Sequence, residues 1–529
     1  MIRSVFIQTQ ISNEHKHFEL VETTLTLFLG MIMFTTKEKH WHSTRRANIA
    51  TWETHCKYVD FIDEATLSEI LVRTKSPETG KVQNIIAEAR ENTLCGKMLS
   101  PEDVAILANT TDPELWEAIF ETADWIKKTV YGNRIVLFAP LYLSNTCVNN
   151  CAYCGFRRGN RNLDRKILTP EELAEEVKVL VNQGHKRLIA VYGEHPDSAV
   201  DYICQTVEKI YETRQGFGEI RRCNINAAPL FNKEYEAVRD VGIGTYQIFQ
   251  ETYHPKTYQE VHPKGSLKGA YHWRLFGLHR AMEAGIDDVG LGVLFGLYDW
   301  RFELLGLLHH AMALEQAFGV GPHTISYPRL VSAENAPLTT QSKYLVNDED
   351  FLKIVAIIRL MCPYTGSILT AREAFPLRLD ALIKGGVSQM DAGTRIGVGG
   401  YAEMEKEHLA HKEQFTVKDS QSLDTFIFSL CSHGFLPSFC TAGYREGRTG
   451  ANFMPLAKQA TVKNYCIANG ILTFKEYLMD YASPDVRNIG EETILPAYLK
   501  WIKENVPHLY ARVQEGLKRE EESIRDVHF

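Results

Sequence analysis

The sequence predicts an α/β chain, a (β/α)8 barrel with a helical segment before it and a helical extension after it. Three observations carry this. Between residues 134 and 400, eight short apolar segments alternate with helical stretches. Each is short and continuous, as a strand buried on both faces should be. Before residue 134 the pattern is helical only, and after residue 400 the strand rhythm stops. Eight strand–helix units over roughly 260 residues suit a closed barrel, with a doubly wound open sheet as the alternative that periodicity alone allows. The expected segments are 1–57 as an extension, 58–133 helical, 134–400 barrel and 401–529 helical.

The first stretch contains Leu25–Phe34, apolar but only ten residues long, too short to span a bilayer. Thr35–Thr51 is rich in Lys, Arg, His and hydroxyl residues with one acid. It reads as part of an organelle transit peptide, or as a poorly ordered extension with the true start at Met31 or Met33. In the helical segment, Ser100-Pro101-Glu102-Asp103 supplies an N-cap, a proline at the first helical position and acids in the first turn. Pro113-Glu114 opens a second helix, with apolar residues at Leu115, Ile119 and Ala123.

The expected strands are Ile135–Leu143, Arg187–Tyr192, Glu219–Ala228, Thr245–Gln250, Asp288–Phe295, His323–Leu330, Gly366–Ala371 and Ser388–Ala392. Helices between them include Pro170–Asn182, capped by Thr169, and Tyr271–Ala284, ended by Gly285. Residues 401–433 read as polar and helical. Gly434–Gly450 is rich in Gly, Ser and Thr, and a mixed helical tail runs to Phe529.

The chain of 529 residues carries 66 acidic and 58 basic side chains, a net charge of −8, with 44% hydrophobic residues. This is the balance of a soluble globular protein. It argues against a general nucleic-acid binder, which needs a clustered basic face. No membrane anchor is expected. Eleven cysteines, an odd number in a long chain without an evident secretory signal, point to a reduced compartment. The expectation is cytoplasm, or an organelle matrix if the amino terminus is a transit peptide.

Cys147, Cys151 and Cys154 form a C-x3-C-x2-C run directly after the first strand, where a barrel's catalytic loops begin. Three thiolates hold three corners of a [4Fe-4S] cluster, whereas full ligation by protein takes four. One iron is then open to an external chelate. Zinc is the alternative, but a structural site takes a closed fourth ligand, and no second cysteine pair lies nearby.

With Tyr153 before the last cysteine, this run resembles the radical S-adenosylmethionine superfamily. The resemblance implies that S-adenosyl-L-methionine chelates the open iron and is cleaved to a 5′-deoxyadenosyl radical. Tyr192-Gly193-Glu194 looks like the superfamily's Gly-Gly-Glu element with its first glycine replaced. Gly193 and Glu194 are thus candidates to receive the cofactor. Gln250 and Glu251, at the end of the fourth strand, and Arg274, on the next helix, are candidates to embrace its ribose and carboxylate.

Longer stretches narrow the resemblance. Thr245–Tyr253, Ala281–Glu303 and Gly319–Leu330 look like the tyrosine lyases of this superfamily, the HydG and ThiH groups. The extension past the barrel, with Ser438–Ala442, Arg448-Thr449-Gly450 and Phe474–Tyr481, resembles HydG, the [FeFe]-hydrogenase H-cluster maturases. The resemblance spans roughly residues 58–529 and implies cleavage of the Cα–Cβ bond of L-tyrosine to p-cresol and dehydroglycine. In HydG a second cluster turns dehydroglycine into CO and cyanide on iron. A buried substrate carboxylate must be paired, and Arg329 and Arg372, each ending a strand, are candidates. Either could instead form a structural ion pair, Arg372 with Glu373 for instance. The implied partners are a low-potential donor of flavodoxin or ferredoxin type and the hydrogenase maturation proteins.

One departure stands out. HydG holds its second cluster with a C-x2-C-x22-C triad, and here that register reads Cys440, Gly443, Cys466. The spacing is kept and the middle thiol is absent. Such a second cluster carries a labile extra iron, for which a barrel-top histidine is wanted. His262 is the position expected from the resemblance, with His254 behind it. The alternatives are therefore a ThiH-like 2-iminoacetate producer without CO formation and a non-catalytic iron–sulfur protein.

Overall fold

Eleven consecutive buried residues, β1 (Arg134–Ser144), form the strand around which the molecule is organised. The computed structural model describes residues 34–403, 410–442 and 450–529. Chain contacts divide these into a unit ending at Cys56 and a unit from Lys57 to Phe529. In the first, α1 (Thr36–Thr54) starts on a capping box between Thr35 and Glu38, so the described part of the basic stretch is helical. Leu25–Met33 and the candidate starts Met31 and Met33 lie outside the described residues. No described helix is long and apolar enough to cross a membrane.

In the second unit β1 is followed by β2 (Arg187–Tyr192), β3 (Arg222–Asn226), β4 (Tyr246–Glu251), β5 (Val289–Val293), β6 (Thr324–Ser326), β7 (Gly366–Leu369) and β8 (Gln389–Asp391). Each pairs in parallel with the next, and β8 returns to β1 through Val136↔Gln389 and Phe138↔Asp391. The barrel is closed with eight strands, as expected. Glu219–Ala228 is shorter than read. Its beginning turns into a two-stranded antiparallel ribbon, Arg214–Gln215 with Gly218–Glu219, and β3 starts only at Arg222.

The helix starts behave as their chemistry dictates. Ser100 and Asp112 cap α2 (Pro101–Asn109) and α3 (Pro113–Tyr131), and Thr169 with Glu172 forms a capping box on α4 (Pro170–Asn182). The expected helix Tyr271–Ala284 is two pieces, α5 (Tyr271–Leu275) and α6 (Gly277–Glu283), interrupted at Phe276. Gly285 does take the left-handed φ of +87° that a chain reversal there needs.

The C-terminal reading needs two corrections. Within 401–433 the described helix is α7 (Leu423–Ser432), beside one 3-10 turn at Ala410–Lys412. Residues 404–409 lie outside the described set. The strand rhythm also does not stop, because β9 (Leu436–Ser438) pairs in parallel with β1 through Arg134↔Leu436 and Val136↔Ser438. Val136 also faces β8, so β9 occupies the other side of β1, below the point where β2 starts pairing at Ala139. Three residues inside a Gly/Ser-rich stretch carry too little periodicity to be read as a strand.

The carboxylate of Glu476, on α8 (Val462–Asp480), holds the C-terminal helices to the barrel. It lies 2.7 Å from both Lys186 Nζ and Arg221 Nη2, and each of the three side chains is 1% exposed. Burial raises its pKa, but the two cations outweigh burial and hold it at about 2. Glu476→Gln is expected to destabilise the fold by about 3–5 kcal/mol, since buried Lys186 loses its ion-pair partner and Arg221 keeps only its longer pairs with Glu219 and Asp526. The native carboxyl lies below its ordinary value of 4.5, so its contribution is present above that pH and is lost as pH falls towards 2. Chemical denaturation at pH 7 and pH 3 checks this: the wild-type advantage over the variant should shrink at the lower pH.

Candidate active site

β1 connects two sites. The cysteine run leaves its C-terminal end, and β9, which leads into Cys440, lies beside its N-terminal end. At about 3.3 Å per residue, a strand of this length separates the two by roughly 30 Å.

At the upper end the loop after β1 is tied to β2 by Val148 N–H donating to Glu194 O at 2.8 Å. Ala152 N–H ties it to Val261 O at 2.9 Å. Cys147, Cys151 and Cys154 all line one cavity of about 200 Å³ in the barrel mouth. Cys151 is buried and the other two are half-buried. Burial pushes the Cys151 thiol up to about 12 and raises that of Cys147. Such thiols ionise when a metal replaces the proton. The donor set fits a cubane cluster with one open corner. Amide donors already point at the sulfurs: Asn149 Nδ2 lies 3.7 Å from Cys147 Sγ, and Gln414 Nε2 lies 3.4 Å from Cys154 Sγ.

Gly193 and Glu194 line the same cavity. A Cβ at Gly193 would fall 2.2 Å from Thr146 O, so only glycine lets β2 end this close to the cysteine loop. Glu194 Oε2 accepts a 2.6 Å bond from Asn149 Nδ2. Glu251 ends β4 at a register shift with φ +72°, a left-handed backbone that a glutamate adopts only when its surroundings impose it. Its carboxylate meets Lys268 Nζ at 2.6 Å and Arg274 Nη2 at 3.8 Å, and Arg274 Nε donates to Phe249 O. Gln250, next to Glu251, does not line the cavity. Its amide is buried, with no hydrogen-bond partner among the described residues.

The two arginines separate. Arg372 lines the cavity with its guanidinium 3.3 Å from the Phe415 ring centre, and it makes no ion pair among the described residues. Arg329 is fully engaged elsewhere: Nε and Nη2 donate to Glu373, Nη2 to Asp348 at 2.5 Å, and Nη1 to Val346 O. The structural ion pair with Glu373 therefore belongs to Arg329, not Arg372.

His262 lies at the barrel top, beside the cysteine run. Its Nε2 lies 2.8 Å from the hydroxyl of Tyr153, inside the cysteine run, and its Nδ1 lies 2.9 Å from Tyr258 O. It sits at the upper mouth, at the opposite end of the barrel from Cys440. His254 caps the helix Pro255–Val261, with Nδ1 2.8 Å from Thr257 Oγ1.

At the lower end Cys440 and Cys466 share a small cavity of about 30 Å³ with Arg134 and Asn469. Arg134, 2% exposed, has Nε and Nη1 without partners among the described residues. Arg222 Nη1 lies 3.8 Å from Cys440 Sγ, and its Nη2 binds Asp288 Oδ2 at 2.9 Å. On the far side of Asp288, at 3.4 Å, is His323 Nδ1, the ring of which stacks on Phe453, a residue lining this cavity. The histidine on the side of Cys440 is thus His323, which precedes β6. Burial, outweighing Asp288, pushes its pKa down to about 4 and keeps the ring neutral. Sequence reasoning counted it as a strand start and so missed it. Gly443 lies outside the described residues.

Comparisons with known proteins agree with this geometry. Residues 141–305 match the Radical SAM superfamily, and residues 326–436 match the Biotin and Thiamin Synthesis associated domain. A crystal structure of HydG, a maturase of the [FeFe]-hydrogenase, is 44% identical. It superposes with a TM-score of 0.84 over 89% of this chain and 100% of its own. The chain belongs to the HydG family. HydG from Carboxydothermus hydrogenoformans is 38% identical, covering 86% of this chain and 97% of its own, with a TM-score of 0.72. The 2-iminoacetate synthase of Escherichia coli K12 is 29% identical over 66% of this chain and 88% of its own length. It is more distant than HydG from Carboxydothermus and aligns with less of this chain.

Proposed function

We propose that this HydG-family chain is a radical SAM lyase that cleaves the Cα–Cβ bond of L-tyrosine to p-cresol and dehydroglycine. The supporting observation is the convergence on one cavity of three thiols, the Glu251–Lys268–Arg274 group and Arg372, which makes no ion pair among the described residues. A [4Fe-4S] cluster with S-adenosyl-L-methionine supplies, when bound, the 5′-deoxyadenosyl radical that takes a hydrogen from the substrate amine. The chain's own residues do the rest. Cys147, Cys151 and Cys154 hold the cluster, and Asn149 and Gln414 direct amide N–H groups at two of the sulfurs. Gly193 gives the cofactor close approach to main chain, and Glu194 and Glu251 offer acceptors for its ammonium and ribose. Arg274 and Lys268 fix Glu251, and the flat guanidinium of Arg372 grips the tyrosine carboxylate through two hydrogen bonds.

The lower site fits a second cubane less well, because two thiols stand where the family register has three. Gly443 favours a second reading, a lyase that stops at dehydroglycine and releases little CO. The test is to supply anaerobically reconstituted protein with reductant, S-adenosyl-L-methionine and tyrosine. Formation of p-cresol, absent in Cys151→Ala, supports the lyase, and its absence in the wild type rejects it. p-Cresol with little CO selects the second reading. The hydrogenase maturation partners belong to the same family reading, and the compartment reading, cytoplasm or an organelle matrix if the amino terminus is a transit peptide, rests on cysteine usage and the basic amino-terminal stretch.

A further inference from the structure

A glutamate in the left-handed region stays there only under constraint. Glu251, with φ +72° at the register shift that ends β4, is such a residue. Its ion pairs with Lys268 and Arg274 fix the carboxylate and leave the main chain free. The main chain is held from two other places. Glu251 O accepts from Leu294 N–H at 2.9 Å, and the two residues that follow, Thr252 and Tyr253, are gripped by a helix that does not reach the cavity. Both are 0% exposed.

The grip centres on Glu303, in the first turn of the helix Trp300–Phe318. Glu303 is fully buried and does not line the cavity. Its Oε1 accepts from the Thr252 hydroxyl, and its Oε2 accepts from Tyr253 N–H at 2.7 Å. It makes no ion pair among the described residues. Two further residues of the same helix act on Tyr253. Three positions on, a Cβ at Gly306 would overlap the Cβ of Tyr253, so only glycine lets the helix pack this closely. Seven positions on, His310 Nδ1 lies 3.1 Å from the Tyr253 hydroxyl. Positions i, i+3 and i+7 share one face of a helix, so a single face is shaped to hold this dipeptide. From the other side, Tyr253 O accepts from the Tyr271 hydroxyl at 2.7 Å.

We propose that Glu303 is a positioning residue for the cofactor site: by tying down Thr252 and Tyr253 it imposes the left-handed backbone at Glu251 and so aims that carboxylate into the cavity. This rests on the radical SAM reading of the upper site, in which Glu251 receives the cofactor. Without the tie, Glu251 relaxes to an ordinary backbone, and binding must itself restore the strained one. The contribution of Glu303 is two acceptor atoms, not a charge. Burial, outweighing both hydrogen bonds, pushes its pKa up to about 8, so a neutral amide of the same shape is the conservative replacement.

The test measures affinity for S-adenosyl-L-methionine on anaerobically reconstituted protein, by titrating the electron paramagnetic resonance signal of the reduced cluster. Iron content and melting temperature are recorded for each variant. Glu303→Met, which keeps the volume and removes both acceptors, is expected to bind about tenfold more weakly at unchanged iron content, the cost of restoring one strained residue. Glu303→Gln, which keeps an acceptor for Tyr253 N–H, should stay within about threefold of wild type. Glu476→Gln, destabilised at the far end of the barrel, should keep wild-type affinity, which separates positioning from loss of stability. Unchanged affinity in Glu303→Met, an equal loss in Glu476→Gln, or a Glu303→Gln as weak as Glu303→Met overturns the proposal. If Glu303→Met loads no cluster, Thr252→Val decides, since it removes one of the two ties: affinity weakened about threefold supports the proposal and unchanged affinity overturns it. A wild type that binds no S-adenosyl-L-methionine overturns the radical SAM reading and this proposal together, whereas a wild type that binds it beside an equally tight Glu303→Met overturns the proposal alone.

Discussion

Arg372→Gln is expected to lower kcat/KM for tyrosine by on the order of 10²-fold, the cost of leaving a desolvated carboxylate without its charged partner. The amide keeps a hydrogen-bond donor near the same place but has no charge and no fork of parallel N–H groups. Cofactor cleavage without coupled tyrosine cleavage should persist, because Glu251 keeps its ion pairs with Lys268 and Arg274 when Arg372 is changed. The measurement is the ratio of 5′-deoxyadenosine to p-cresol at saturating cofactor, and it should rise. Arg329→Gln makes the contrast. It strips Glu373, 1% exposed, of its guanidinium, so the expected loss is about 3–5 kcal/mol of stability, with kcat/KM altered only in step with the folded fraction. If the two variants exchange these phenotypes, the substrate anchor has been misassigned.

The contrast also marks where sequence reading runs out. Both arginines follow a strand by three residues, and the loops after barrel strands face the site region, so spacing alone ranks them equally. What separates them is whether an acid is already in place. Glu373, one residue from Arg372 in sequence, turns instead to Arg329, 44 residues away. The barrel itself was legible because each strand is a continuous apolar run. The cysteine loop was legible because three thiols crowded into eight residues suit a metal centre and little else. Glu251 was legible from its place after a strand, but Lys268 was not, since a lysine in a polar loop has no signature until the fold brings its ammonium to 2.6 Å from a carboxylate. Gln414 and β9 were hidden for the same reason. Their roles come from contacts with residues 260 to 302 positions earlier in the chain. The two histidines differ in the same way. Val261-His262-Pro263 looked distinctive, whereas His323 was absorbed into a strand, and only the barrel's ends show which one lies on the side of Cys440.

The second large effect concerns the lower site, and Gly443→Cys is expected to produce it. Two cysteines give a cubane two of the thiolate ligands it needs, and the space around them is small and cationic, with Arg134 fully buried beside both thiols. A third thiolate adds both a ligand and a negative charge to a cationic site. Anaerobic reconstitution of the wild type should give about four irons per chain, and of Gly443→Cys about eight, one cubane per three-cysteine set. The yield of CO per p-cresol should rise at least tenfold in the variant, while the p-cresol rate itself stays within twofold, since the upper site lies roughly 30 Å away along β1. A wild type that already binds eight irons would mean that other ligands replace the missing thiol, and CO release should then match its tyrosine turnover. A variant that binds eight irons and still releases no CO would place the defect beyond ligation, in the His323–Asp288–Arg222 chain that faces the same cysteine.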